Sequence, residues 1–281
     1  MNHPARTLAA LLGLATLLLA LAASTAPGRN FVDVLDQPAL RSPLAAKRVL
    51  QATAVAGQRL VAAGARGHVV YSDDLGASWQ QAKVPVSADL TALHFVDARQ
   101  GWAVGHEGVV LHTGDGGKTW EPWVDRTQNE RFYHLYGIRG SSDGLYMVGE
   151  LGLALRFDPA TGRFNALQTP YEGSYFGLLT KPGLVLAYGL RGTAYRSRDG
   201  GQNWEAVDTG ITASITASHV LPDGRLLLCS MAGDVLQSDD DGAHFRRVTL
   251  KTPMPCTGLA VSGDALVLSG LRGVRVEHPQ L

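Results

Sequence analysis

Residues 101–120 read GWAVGHEGVVLHTGDGGKTW, and this stretch decides the fold. A short apolar run enters Gly105-His106-Glu107-Gly108, and a second apolar run follows. A polar turn, Thr113-Gly114-Asp115-Gly116-Gly117, then leads to Thr119-Trp120. The same succession recurs. Gly-x-x-Gly stands at 64–67, 105–108, 149–152, 189–192 and 270–273, and Ser230-Met231-Ala232-Gly233 keeps the second glycine. The second glycines (67, 108, 152, 192, 233, 273) are 41, 44, 40, 41 and 40 residues apart. Twelve residues after the first five of them come Trp79, Trp120, Phe164, Trp204 and Phe245. In the second unit the strands read as 90–96, 101–104, 109–113 and 119–123. Four short strands at a period near 40, with no long helical periodicity after residue 23, predict an all-β propeller of four-stranded blades.

The turn that precedes each aromatic has its own pattern. It reads Ser72-x-Asp74-x-Gly76-x-Ser78-Trp79, and the same spacing returns at 113–120, 197–204 and 238–245. In the third unit Phe157, Pro159 and Thr161 fill the Ser, Asp and Gly places, and Phe164 keeps its offset. This resembles the Asp-box, or BNR, repeat. A short polar side chain takes up backbone N–H groups that a tight turn leaves unpaired, and Gly allows a positive φ. The aromatic ring then supplies buried area between neighbouring sheets. Asp74, Asp115, Asp199 and Asp240, with Trp79, Trp120, Trp204 and Phe245, are therefore expected to be structural. Asp239-Asp240-Asp241 lacks the alternate spacing and terminal Glu of a Ca²⁺ loop and reads as an exposed turn.

Composition narrows the classes. The chain has 281 residues, 45% of them hydrophobic and 18% charged, which suits a large core rather than disorder. Its formal net charge is zero, and no basic or aromatic-and-basic signature points to nucleic acid. Arg6, the apolar run 8–23 and the small residues Ala20, Ala22 and Ala23 predict a signal peptide over 1–23, with an uncleaved anchor as the alternative. The mature protein is then periplasmic or otherwise exported. Cys229 and Cys256 form a disulfide or remain two small buried thiols.

The predicted ring has six blades over 48–281, seven being the alternative. The sixth unit supplies three strands, so residues 31–35, Phe-Val-Asp-Val-Leu, are expected to add its outer strand and close the ring. Residues 24–47 form this N-terminal segment, with 36–47 as connector. In such a ring the second-to-third strand turns and the blade-to-blade connectors share one face, opposite the Asp boxes. Functional residues concentrate on loops set by a rigid scaffold, and Tyr and Arg are common interface anchors. The candidate binding residues on that face are Arg66, His106, Glu107, Arg126, His134, Glu150, Tyr171, Tyr175, Arg191 and Arg272. His106 and His134 lack clustered carboxylates, so no metal is expected, and no cofactor motif is present.

Beyond the box, LTALHFVDARQGWAVGHEG (90–108), the following HTGDGGKTW, and Gly189–Gly192 with RSRDGGQNW resemble the photosystem II assembly and stability factor-like propellers. That resemblance implies a non-enzymatic, exported propeller that holds a membrane or envelope protein during assembly. Its members usually show seven blades. Arginines on one face of that family are thought to contact the partner, and Arg66, Arg191 and Arg272 are the nearest matches by turn position. A monomer is expected. The alternative is a sialidase-like glycoside hydrolase, which is six-bladed with Asp boxes and uses three arginines, a Tyr–Glu pair and an acid. The Arg-Ile-Pro motif of that class is absent from the start of this chain, which reads FVDVLDQPALRSP.

Overall fold

The computed structural model describes residues 32–281, so the expected signal segment 1–23 and residues 24–31 lie outside the described residues. Each repeat folds into one antiparallel sheet with its strands in chain order. The first holds β1 (Leu50–Ala56), β2 (Arg59–Gly64), β3 (Val69–Ser72) and β4 (Gln80–Gln81). The second holds β5 (Leu90–Phe95), β6 (Gly101–Gly105), β7 (Val110–Thr113) and β8 (Glu121–Pro122). The third holds β9 (Leu135–Ser141), β10 (Gly144–Gly149), β11 (Ala154–Asp158) and β12 (Arg163–Leu167). The fourth holds β13 (Tyr175–Lys181), β14 (Leu184–Gly189), β15 (Ala194–Ser197) and β16 (Glu205–Ala206). The fifth holds β17 (Ile215–Val220), β18 (Leu226–Ser230), β19 (Val235–Ser238) and β20 (Arg246–Arg247). The sixth has three strands, β21 (Gly258–Ser262), β22 (Ala265–Gly270) and β23 (Gly273–Glu277). The whole is a six-bladed β-propeller, with the first strand of every sheet lining one axial cavity of about 440 Å³. No helix among the described residues is long and apolar enough to cross a membrane.

The second strands explain the apolar runs in the sequence. β6 and β14 are buried at every position because a neighbouring sheet covers each face. Core clusters accordingly lie between successive sheets, from the first and second through to the fifth and sixth. A further small cluster packs Ala45 on Ala62 and Val70 of the first sheet. Cys229 of β18 and Cys256, in the connector before β21, form a disulfide with Cα atoms 6.3 Å apart, within the usual reach of such a bridge.

The Asp boxes behave as turn locks. The Ser72 hydroxyl donates to Asp74 Oδ1 at 2.7 Å and accepts the Gly76 N–H at 2.8 Å. Asp74 in turn accepts the Ser78 N–H at 2.8 Å and its hydroxyl at 2.6 Å. The same net recurs around Asp115, Asp199 and Asp240, with Thr119, Asn203 and His244 as the distal donors. The indoles of Trp120 and Trp204 donate back to Gly117 and Gly201 at 3.1 and 3.0 Å. In the degraded third unit Asp158, one place earlier than the pattern, accepts from the Ala160 N–H and the Thr161 hydroxyl.

The expected closing strand is corrected. Residues 32–35 form no strand, and the sixth sheet keeps three. Val34 O accepts the Ser87 N–H at 2.8 Å, and the Ala39 N–H donates to Val84 O at 3.1 Å. Leu35 and Ala39 pack on the core between the first and second sheets, so the segment finds apolar cover beside the β4–β5 connector instead.

Candidate functional site

The turns between second and third strands form a repeated surface device on the face shared with the connectors. In each of the first four, the residue before the second glycine takes the left-handed conformation: Arg66, Glu107, Leu151 and Arg191 have φ of 56°, 55°, 51° and 57°. Non-glycine residues adopt this region rarely, at a cost of roughly 1–2 kcal/mol each. The connectors hold them there. The first N–H of each turn donates to the connector carbonyl just before its own sheet: Ala65 to Val49, His106 to Asp89, Glu150 to His134, Leu190 to Ser174 and Met231 to Ser214. The tip N–H reaches the connector that follows: Arg66 to Asp89 Oδ1 at 2.7 Å, Glu107 to His134 Nδ1 at 2.8 Å, and Arg191 to Ser214 Oγ at 3.3 Å. The glycines make this approach feasible. A Cβ on Gly152, which has φ 74°, would lie 1.7 Å from Tyr171 O.

The tip side chains project outward. Arg66, Glu107, Leu151 and Arg191 are exposed. The sixth turn differs, because Leu271 and Arg272 make a two-residue hairpin between paired Gly270 and Gly273. Arg272 is exposed there but is not a left-handed tip. Arg66, Arg191 and Arg272 stand on the first, fourth and sixth sheets, and none shares a hydrogen bond or ion pair with another.

His106, His134 and Glu150 are brought together beside Tyr136, which lines the axial cavity. The two imidazoles stack with centroids 4.7 Å apart, and His134 accepts the Glu107 N–H through Nδ1, which places its proton on Nε2. Glu150 accepts the His134 N–H at 2.9 Å and the Tyr136 hydroxyl at 3.2 Å. Burial, then the Glu150 charge and hydrogen bond, push the Tyr136 phenol up to about 12. Tyr136 and Phe176, 5.8 Å apart, carry this aromatic group down into the cavity.

Three candidates fall elsewhere. Tyr175 is fully buried between the third and fourth sheets, and burial raises its hydroxyl's pKa, so it is a core residue. Tyr171 is half-buried against Tyr175 and Tyr195. Arg126 stacks 4.2 Å over Trp123, whose indole donates to Gly162 in the β11–β12 turn, away from the tips. Asn129 is likewise internal to its loop, bonding both the Tyr133 carbonyl and its N–H. The sequence reading missed Asp89, Ser214 and Tyr136. The first two had a signal, since they stand, like His134, one place before the apolar start of an inner strand.

The fold and these tips define a class: a propeller of Asp-box repeats that presents a ring of rigid turns and connectors on one face. The chain belongs to the family described as photosynthesis system II assembly factor YCF48, whose profile matches residues 71–236, more than half of its length. It is 27% identical over 173 residues to the photosystem II assembly protein Ycf48 of Thermosynechococcus vestitus, covering 58% of this chain and 48% of that protein. A Ycf48 of Synechococcus sp., named as a lipoprotein, is 25% identical over 60% of this chain and 52% of its own. The chain thus spans about half the length of these relatives. Among solved structures, YCF48 bound to D1 peptide superimposes with a TM-score of 0.64 at 17% identity, covering 81% of this chain and 76% of that one. Virginiamycin B lyase from Staphylococcus aureus gives 0.66 at 10% identity, over 83% and 85% of the two chains. At such identities both share the fold alone.

Proposed function

We propose that this chain is an exported, monomeric, non-enzymatic propeller that holds a membrane or envelope protein during its assembly, using the face of turn tips and connectors. The observation that carries the reading is the set of exposed tips, Arg66, Glu107 and Arg191, whose backbone is locked by connector groups. Rigid loops bearing exposed Arg bind with little ordering cost. Membership of an assembly-factor family supports the partner class, and a structural relative is described with a bound D1 peptide. Relatives named as lipoproteins support export.

The glycoside hydrolase reading is weaker on geometry. Tyr175 is enclosed in core, Tyr171 packs on it, and Arg66 and Arg191 belong to sheets three positions apart. The tyrosines such a site would recruit as nucleophile are therefore held in the packing between the third and fourth sheets. A pull-down from membrane extract should recover a defined partner with the wild-type chain and lose it with Arg66, Arg191 and Arg272 all changed to Ala. Equal recovery by both would remove the arginine face from the reading.

A further inference from the structure

The axial cavity carries a positive charge that its wall does not balance. Arg139 of β9 is the one charged residue lining it among the described residues. It stands on an innermost strand and is nevertheless exposed. The same place in the other sheets holds Ala54, His94, Leu179, His219 and Ala260, so the repeat itself does not require a cation there. The guanidinium is held from one side, where Nη1 donates to the carbonyls of Ile138 and Leu93 at 3.0 and 3.3 Å. Its Nε and Nη2 have no hydrogen-bond partner, and no carboxylate pairs with it, among the described residues. Glu150 is bonded to the Tyr136 hydroxyl and does not itself line the cavity. Burial, then the Arg139 charge, hold the His94 imidazole down to about 4, so it is neutral at neutral pH and adds no second cation.

Two glycines bring hydroxyls of the second strands to the same cavity. A Cβ on Gly177 would lie 2.5 Å from Tyr188 Oη, and one on Gly258 would lie 2.3 Å from Ser269 Oγ. Tyr188 and Ser269 both line the cavity, past positions that a side chain would block. Tyr188 is 4% exposed, and its hydroxyl donates to Ser218 Oγ at 3.0 Å. Ser218 also lines the cavity, and because it accepts from Tyr188 its own O–H is left to donate. Ser269 Oγ has no partner among the described residues. The wall thus offers a guanidinium fork, anchored by backbone carbonyls, together with hydroxyl donors and no anionic acceptor. A fork of this kind matches the paired oxygens of a carboxylate or phosphate in charge and in geometry.

We propose that the axial cavity binds a small oxyanion, a phosphate or carboxylate group, on Arg139, with the Ser218 and Ser269 hydroxyls as further donors. The cavity, at about 440 Å³, is in the range of small-molecule sites and is far too small for a folded chain. The site goes beyond the holding of a protein partner and does not depend on it. The tip arginines are no part of it, since Arg66, Arg191 and Arg272 do not line the cavity.

The probes are inorganic phosphate and acetate, added at constant ionic strength, with chloride as the balancing salt, to the full chain carrying isotopically labelled arginine. The Nε–Hε resonance of Arg139, identified by its disappearance in R139K, should shift saturably. Affinity measured by calorimetry should fall about 10–100-fold in R139Q, as expected for loss of charge-assisted hydrogen bonds. The chain with Arg66, Arg191 and Arg272 all changed to Ala should keep the wild-type affinity. Saturation by phosphate alone supports a phosphate group, by acetate alone a carboxylate, and by both a site for either. The proposal fails if neither probe shifts the Arg139 resonance beyond the effect of chloride. It fails equally if R139Q binds as tightly as wild type, or if the triple variant loses binding. Should R139Q melt well below wild type, the wild-type resonance decides, and its constancy overturns the proposal. The tip arginines are read separately, so failure here leaves the arginine-face pull-down unaffected.

Discussion

At the scale of single residues, the Asp-box carboxylates show how a turn stores stability in a hydrogen-bond count. Asp74 is held down to about 2 by the Ser78 hydroxyl, then by the Ser78 N–H and the Ser72 hydroxyl. Asp199 is held to about 2 by the Asn203 N–H, then by the Asn203 side-chain amide and the Ser197 hydroxyl. Asp240 is lowered further, chiefly by the His244 N–H. A folded pKa below the unfolded value of ~3.9 means that the stabilisation is complete above that pH. It is lost as pH falls through the folded value. Melting curves from pH 6 to pH 2 should therefore show an acid limb between about pH 4 and 2. Asp199→Asn should melt below wild type at pH 6 and converge with it near pH 2. A gap that persists unchanged to pH 2 would refute this assignment. These aspartates were legible in the sequence, since their role is local and their spacing repeats. Asp158 was not, because its turn is one residue out of pattern.

Among elements, the informative comparison is between copies of one part in different settings. Trp120 and Trp79 occupy the same offset after the turn glycine, yet Trp120 is enclosed in the core between the first and second sheets and Trp79 lacks a packed sheet opposite. Trp120→Ala should cost roughly 3–5 kcal/mol, the range for truncating a buried aromatic. Trp79→Ala should cost markedly less, about 1–2 kcal/mol, because the removed area was partly in water already. Urea unfolding of both variants checks this, and equal losses would mean that Trp79 is enclosed as fully as Trp120. The tip turns carry the same lesson. Their Gly-x-x-Gly spacing was visible, but the connector groups that lock them, Asp89, His134 and Ser214, come from about 23–27 residues further along the chain. Pairing across that distance depends on two sheets being placed side by side.

For the molecule as a whole, the packing is graded around the axis. The fourth sheet is covered on both faces and β14 is buried throughout, whereas the sixth is covered on one. Amides with two packed neighbours exchange through near-global unfolding, and those at a half-covered end exchange through local opening. Mass spectrometry should find residues 265–277 exchanging at least about 100-fold faster than 184–197. Equal rates would show that the ends of the ring are as well covered as its middle. The repeat period, the box spacing and the apolar second strands by themselves determined the propeller and the two opposite sets of turns, while the choice of six blades over seven came from the six sheets of the structure. The propeller and its turns follow from local backbone chemistry and from the need to bury both faces of a sheet. Only the tertiary structure decided where the N-terminal segment lies, and that Tyr175 is core while Tyr136 opens on the cavity. Those outcomes depend on which surfaces compete for the same side chain, and that competition exists only once the sheets are in place.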